Sequence, residues 1–158
     1  MNAGSVYFHF MNRQGKGFPD LASRQLLSAV SSTFPHLPCW YIGDGDPYGL
    51  EIFSVWKFGS QALSRELHST CPALQWIGVA LLDLVEREVP ADQFFALTDR
   101  DARKLESLLQ RTCLSTETDV QSQLQQMKAA QIRADVEALH AIGSDALEHY
   151  ILEKIQTR

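Results

Sequence analysis

Two aspartates separated by one glycine, in Asp44-Gly45-Asp46-Pro47-Tyr48-Gly49, are the residues of this chain best placed for chemistry. Residues two apart on an extended backbone face the same side, so both carboxylates aim at one point. Pro47 biases Asp46 toward that geometry. Mg²⁺ suits such a pair, because it takes one or two carboxylates, keeps several waters and leaves positions for a substrate phosphate. The competing reading is a turn in which the aspartates close on nearby backbone amides, a common use of Asp beside Gly. A second candidate is Gly15-Lys16-Gly17-Phe18-Pro19-Asp20. Its glycines permit unusual backbone angles, Pro19 starts a helix well, and such a loop can offer backbone amides and Lys16 to a phosphate. The triplet also serves as a plain turn with a solvated lysine, and the full G-x-x-x-x-G-K-[ST] phosphate loop is absent.

The acids need a strand to lead into them and a helix to follow. Cys39-Trp40-Tyr41-Ile42 is short, aromatic and β-branched, which predicts the strand. A helix is expected from Gly49, carrying Leu50, Phe53 and Trp56 or Phe58 inward and ending near Gly59. Upstream, Val6-Tyr7-Phe8-His9-Phe10 reads as a strand, and a helix over 20–30 would bury Leu21, Leu27 and Val30. Downstream, a helix over 61–68 precedes a strand over 74–79. Alternating strands and helices predict a parallel α/β sheet, whose ligands bind at the carboxyl ends of the strands. Beyond Leu81 the pattern turns helical. Thr98-Asp99-Arg100-Asp101 resembles a capping box opening a helix through Leu109. A long polar helix follows, with Val120, Leu124, Met127, Val136 and Leu139 as its buried stripe, the glutamine-rich stretch 121–126 as a solvated face and Gly143 as its stop. Ser144-Asp145 then caps a last helix with Leu147, Ile151 and Ile155 on one face. The expected organisation is a lead-in with one strand (1–14), an α/β region (15–97) and a helical extension (98–158).

The 158 residues, 45% hydrophobic, suffice for one core. A net charge of -5 argues against a generally basic, sequence-blind DNA coat. Over residues 1–60 Arg13, Lys16, Arg24 and Lys57 balance Asp20, Asp44, Asp46 and Glu51, so nucleic-acid contacts are expected from local basic residues near the acidic turn. Cys39, Cys71 and Cys113 are widely spaced with no C-x-x-C pair, which supports neither a zinc knuckle nor a disulfide framework. The five histidines form no ligand set in sequence, and there is no G-x-S-x-G elbow or H-E-x-x-H helix. The apolar opening 6–11 is too short to span a membrane, and the chain reads as intracellular.

Taken together, Gly15-Lys16-Gly17-Phe18-Pro19-Asp20, Arg24, Asp44-Gly45-Asp46-Pro47-Tyr48-Gly49-Leu50-Glu51-Ile52 and Lys57-Phe58-Gly59-Ser60 resemble the Toprim domain of the family that unites the topoisomerase VI A subunit with the meiotic double-strand-break protein. The likeness continues through Trp76-Ile77-Gly78 and through Leu97-Thr98 with Asp101, covering roughly 15–155. It implies an incomplete Toprim-type parallel sheet with flanking helices, followed by a helical C-terminal region. It also implies metal-assisted transesterification, in which a tyrosine attacks a DNA phosphodiester and stays joined to a 5′ phosphate. By matching positions, Asp44 and Asp46 would be ligands of Mg²⁺. Lys16 and Arg24 would meet DNA phosphate, and Glu51 would face the edge of the site or pair on its helix. The implied partners are double-stranded DNA, a second A-type subunit, and a B-type ATPase-like subunit, with no membrane. The implied location is the nucleus, on the chromosome.

The chain departs from the family's pattern in two places. The nucleophilic tyrosine belongs to a winged-helix domain ahead of Toprim, and Tyr7, in Ser5-Val6-Tyr7-Phe8-His9, does not match its setting. The family's metal site also uses a glutamate before the G-K-G segment, whereas the first acidic residue here is Asp20. The expectation is an N-terminally truncated, metal- and DNA-binding portion, inactive alone and with no catalytic tyrosine of its own. The alternative is a non-catalytic isoform acting as a protein-interaction module. A D-x-D phosphatase is disfavoured by Tyr48, where such enzymes want Thr or Val.

Overall fold

Helix α1 (Leu21–Thr33) begins where Asp20 accepts the Ser23 N–H at 2.7 Å, a side-chain cap that satisfies one of the orphan amides of the first turn. The computed structural model describes residues 19–60 and 69–157; the expected strand at 6–10, Tyr7, the glycine-lysine loop with Lys16, and the helix at 61–68 lie outside them. Leu27 packs on the core as expected, but Leu21 is 39% exposed and the deepest positions of α1 are Arg24 and Ser28. A connector through Pro35 and Pro38 leads to strand β1 (Cys39–Ile42).

Helix α2 (Pro47–Phe58) follows within a few residues. Asp46 caps it, Pro47 fills its first turn, and Gly59 at φ 90° stops it. Leu50 and Phe53 are fully buried. Strand β2 (Leu74–Gly78) pairs parallel with β1 in the register Cys39 with Leu74, and the contact continues past the strand ends through Gly43 N–H to Gly78 C=O at 3.0 Å. The strand–helix–strand unit is the parallel pair flanked by helices that the resemblance implies.

The rest is a helical region, with one addition to the expected pattern. Helix α3 (Leu81–Glu86) leads to strand β3 (Phe94–Ala96), and α4 (Asp99–Leu109) opens on the Thr98–Asp101 capping box. Helix α5 (Thr118–Ala130) is shorter than expected. Its cap residue Gln131 adopts a left-handed conformation (φ 57°), and strand β4 (Ile132–Ala134) runs antiparallel to β3. Val136 and Leu139, expected on the same long helix, instead lie in a 3-10 turn (Val136–Ile142) that ends at Gly143. The expected solvated glutamine face is corrected at Gln123, which is 1% exposed and accepts the Leu81 N–H at 3.1 Å. Helix α6 (Ala146–Gln156) buries Tyr150, to which the apolar pattern Leu147, Ile151 and Ile155 does not point.

One apolar core joins these parts: Leu50 and Phe53 of α2, Leu84 of α3, Leu105 and Leu108 of α4, and Leu124 and Met127 of α5. Each such side chain contributes roughly 1.5–3 kcal/mol by leaving water. No helix among the described residues is long and apolar enough to cross a membrane.

Candidate metal and nucleic-acid site

The acidic turn sits at the carboxyl end of β1, held from three sides. Asp46 Oδ1 accepts the Gly49 N–H at 2.6 Å as the cap of α2. Asp44 Oδ1 accepts the Val136 N–H at 2.8 Å, and Ala134 N–H reaches the Gly45 carbonyl at 3.2 Å. The turn is thereby pinned to the end of β4 and the chain just past it, about ninety residues on. Gly49 has to be glycine, since a Cβ there would overlap the backbone carbonyl of Asp44. Tyr41 closes the underside by donating its hydroxyl to the Gly49 carbonyl at 2.9 Å.

Both aspartates close on backbone amides, as the turn reading expects. Each uses one oxygen to order the backbone, and each keeps the other free of hydrogen bonds to the described residues. The surroundings oppose their charge. Burial is the main cause lifting the Asp44 carboxyl above its ordinary value, and Asp135 and Glu137 add repulsion that the Val136 amide and Arg133 partly offset. Asp46 is pushed up to about 6, again chiefly by burial, with Asp44 and Asp135 adding to it. Two half-buried carboxylates among further acids form a locus that favours a cation.

A Mg²⁺-type ion fits this donor set: hard oxygens, two carboxylates, and the remaining positions left to water and phosphate. Among the described residues no three or more His, Cys, Asp or Glu side chains gather to hold a metal.

Arg24 is 4% exposed, with its guanidinium donating to Ser69 Oγ at 3.4 Å. Lys16 lies outside the described residues. Glu51 does not pair along α2; it bridges to Lys104 of α4 at 2.8 Å and to Arg111 just beyond that helix at 2.6 Å.

Asp135, Glu137 and Arg133 are not among the sequence candidates. Arg133 pairs with Asp135 at 3.0 Å and lies 3.7 Å from Asp101. A signal is present: Asp135 and Glu137 repeat the two-apart spacing of Asp44 and Asp46, but helical periodicity runs across them and hides it. Tyr150 is likewise absent from the candidates. Its hydroxyl lies 2.6 Å from Asp83 Oδ2 and 3.1 Å from the Ile77 carbonyl, tying α6 to the end of β2. Gly78, at φ 144°, leaves room for that hydroxyl, which a Cβ would overlap.

A parallel strand pair with flanking helices and an Asp-Gly-Asp turn at the strand end is the arrangement of a Toprim domain. The family described as the Toprim domain of Spo11 and the topoisomerase 6 A subunit, which share one model, matches residues 11–155. The chain belongs to this family. It is similar to "Meiotic recombination protein SPO11" of Homo sapiens, 37% identical over 139 residues, and to that of Mus musculus, 35% identical over the same length. Each match takes in 87% of this chain and 35% of the relative. "Meiotic recombination protein rec12" of Schizosaccharomyces pombe is 36% identical over 126 residues, which is 78% of this chain and 35% of that protein. The chain thus spans about a third of the length of the curated relatives it matches.

Proposed function

We propose that this chain is the metal- and DNA-binding portion of a topoisomerase VI A-type DNA-cleaving transesterase that acts in meiotic double-strand-break formation. The observation that carries the reading is the pair Asp44 and Asp46, half-buried at the end of β1 with charges that nothing nearby fully neutralises.

Asp44 and Asp46 would hold Mg²⁺, which when bound supplies positive charge to the oxygens of a phosphodiester under attack. The chain's own residues orient that site. The Gly49 and Val136 amides fix one oxygen of each carboxylate, and Tyr41 locks the turn beneath them. Tyr41 and Tyr150 are structural: burial raises both phenols well above their ordinary range, and each hydroxyl is engaged with a backbone carbonyl. The attacking tyrosine is assigned, from the resemblance, to the family's winged-helix domain. The partners are double-stranded DNA, a second A-type subunit, and a B-type ATPase-like subunit, on the chromosome in the nucleus.

The test is DNA binding by the chain with Mg²⁺ and with EDTA, beside Asp44→Asn/Asp46→Asn. Binding strengthened by Mg²⁺ in the native chain alone supports the metal site. Identical behaviour of both chains removes it.

A further inference from the structure

An open groove is lined by Tyr48 and Glu51, from the part of α2 that follows the acidic turn, and by Arg100, Arg103, Lys104 and Ser107 of α4. The α4 residues stand at the spacing i, i+3, i+4 and i+7, which places them on one helix face. Arg100 and Arg103 are exposed and form no ion pair with the described residues. The Tyr48 ring carries two cations, with Arg100 Cζ 5.4 Å and Lys104 Nζ 5.7 Å from its centroid. This contact orients Arg100, and together with the Glu51 bridge it orients Lys104.

The groove's acids are largely spent. Glu51 is bridged by both Lys104 and Arg111. Asp101 is turned into the cap of α4, where it accepts from Thr98, and Glu106 pairs with Lys128 at 2.8 Å. Asp99, in the exposed first turn, is the acid of α4 left without such a partner among the described residues. In a chain of net charge -5 this face is a local positive surface, and Tyr48 lies two residues from Asp46, at its edge.

We propose that Arg100 and Lys104, ordered over Tyr48, together with Arg103 on the same face of α4, form a binding track for the phosphate backbone of double-stranded DNA that delivers it to the Asp44–Asp46 turn. Lys104 is shared with Glu51, so Arg100 and Arg103 make the principal phosphate contacts. Contacts of this kind are indifferent to sequence and release counterions, so they carry a salt signature. The track rests on the DNA-binding reading above, but not on its metal claim.

The experiment measures affinity of the whole chain for two unrelated duplexes across a salt series, with and without Mg²⁺. Arg100→Ala/Arg103→Ala is expected to weaken binding about tenfold on both duplexes and to flatten the slope of log affinity against log salt by about 2. Arg100→Lys/Arg103→Lys should restore the slope, which a purely structural loss would not allow. An unchanged slope in the Ala variant overturns the track, as does a native chain that binds no duplex. Equal binding of polyglutamate reassigns the groove to acidic protein and overturns it too. Asp44→Asn/Asp46→Asn should keep the native slope while losing the Mg²⁺ effect. If that variant changes nothing while the arginine variant acts, the metal reading falls and the track stands.

Discussion

Two sets of acids on either side of one turn of α2 have opposite fates. Glu51 is buried and neutralised by a cation on each oxygen, Lys104 on one and Arg111 on the other. Asp44 and Asp46 are half-buried among Asp135 and Glu137, with Arg133 as the basic residue acting on both. A buried charge is costly unless paired, and the chain pairs one while leaving the others short. Glu51 therefore acts as a fastener between α2 and the end of α4, whereas the two aspartates are left as the proposed receptor for a cation. This contrast, rather than the D-x-D spacing itself, separates a chemical site from a structural ion pair.

The comparison breaks most readily at Glu51. Arg111→Ala would leave a buried carboxylate with Lys104 alone and should cost about 3 kcal/mol, read as a lower urea midpoint at unchanged slope. Mg²⁺ should not restore that loss. The aspartates should answer to Mg²⁺ instead: at tenfold above its dissociation constant the ion should stabilise the native chain by about 1.4 kcal/mol through mass action. Asp44→Asn/Asp46→Asn should abolish that gain, and Arg111→Ala should keep it. A Mg²⁺ response that survives the double substitution would merge the two classes.

How much of this is legible in the sequence follows the range of the interactions. The turn is readable because its determinants are local: an aromatic, β-branched strand, Pro47 in the first turn of a helix, and Gly59 at its end. The Thr98–Asp101 box is readable for the same reason. Gln131 is not, since it takes a left-handed conformation without being glycine, and the helical spacing runs on through it to Val136 and Leu139. With that break hidden, the three-residue strand β4 and the acids after it merge into a longer helix. Glu51's partners and Asp44's amide lie some fifty to ninety residues away along the chain, and no local pattern encodes such pairings.

Asp46 separates capping from charge. Asp46→Ala removes the cap of α2 and should cost about 1 kcal/mol. Asp46→Asn keeps a good cap and removes the buried charge, so in EDTA at pH 7 it should be more stable than Asp46→Ala and no less stable than the native chain. The pH dependence has a definite sign. The folded carboxyl binds its proton more tightly than the unfolded one, with a value of about 6 against 3.8, so this group's contribution improves as pH falls through 6 and levels off below 4. Urea midpoints at pH 5 and pH 7 in EDTA should show that gain, and Asp46→Asn should reduce it.

The smallest effect should come from Asp135, which tests whether neighbouring acids belong to the receptor. Its side chain is 43% exposed and paired with Arg133, so Asp135→Asn should change stability in EDTA by no more than about 0.5 kcal/mol. Removing one negative charge that acts on both aspartates should nonetheless weaken Mg²⁺ binding about threefold, the order expected for unit charges interacting through solvent at several ångströms. Added salt should shrink the difference. Calorimetric titration of the variant at low and high salt would read both. If Mg²⁺ affinity stays at the native value in low salt, the receptor consists of Asp44 and Asp46 alone, and the acids after β4 only repel them.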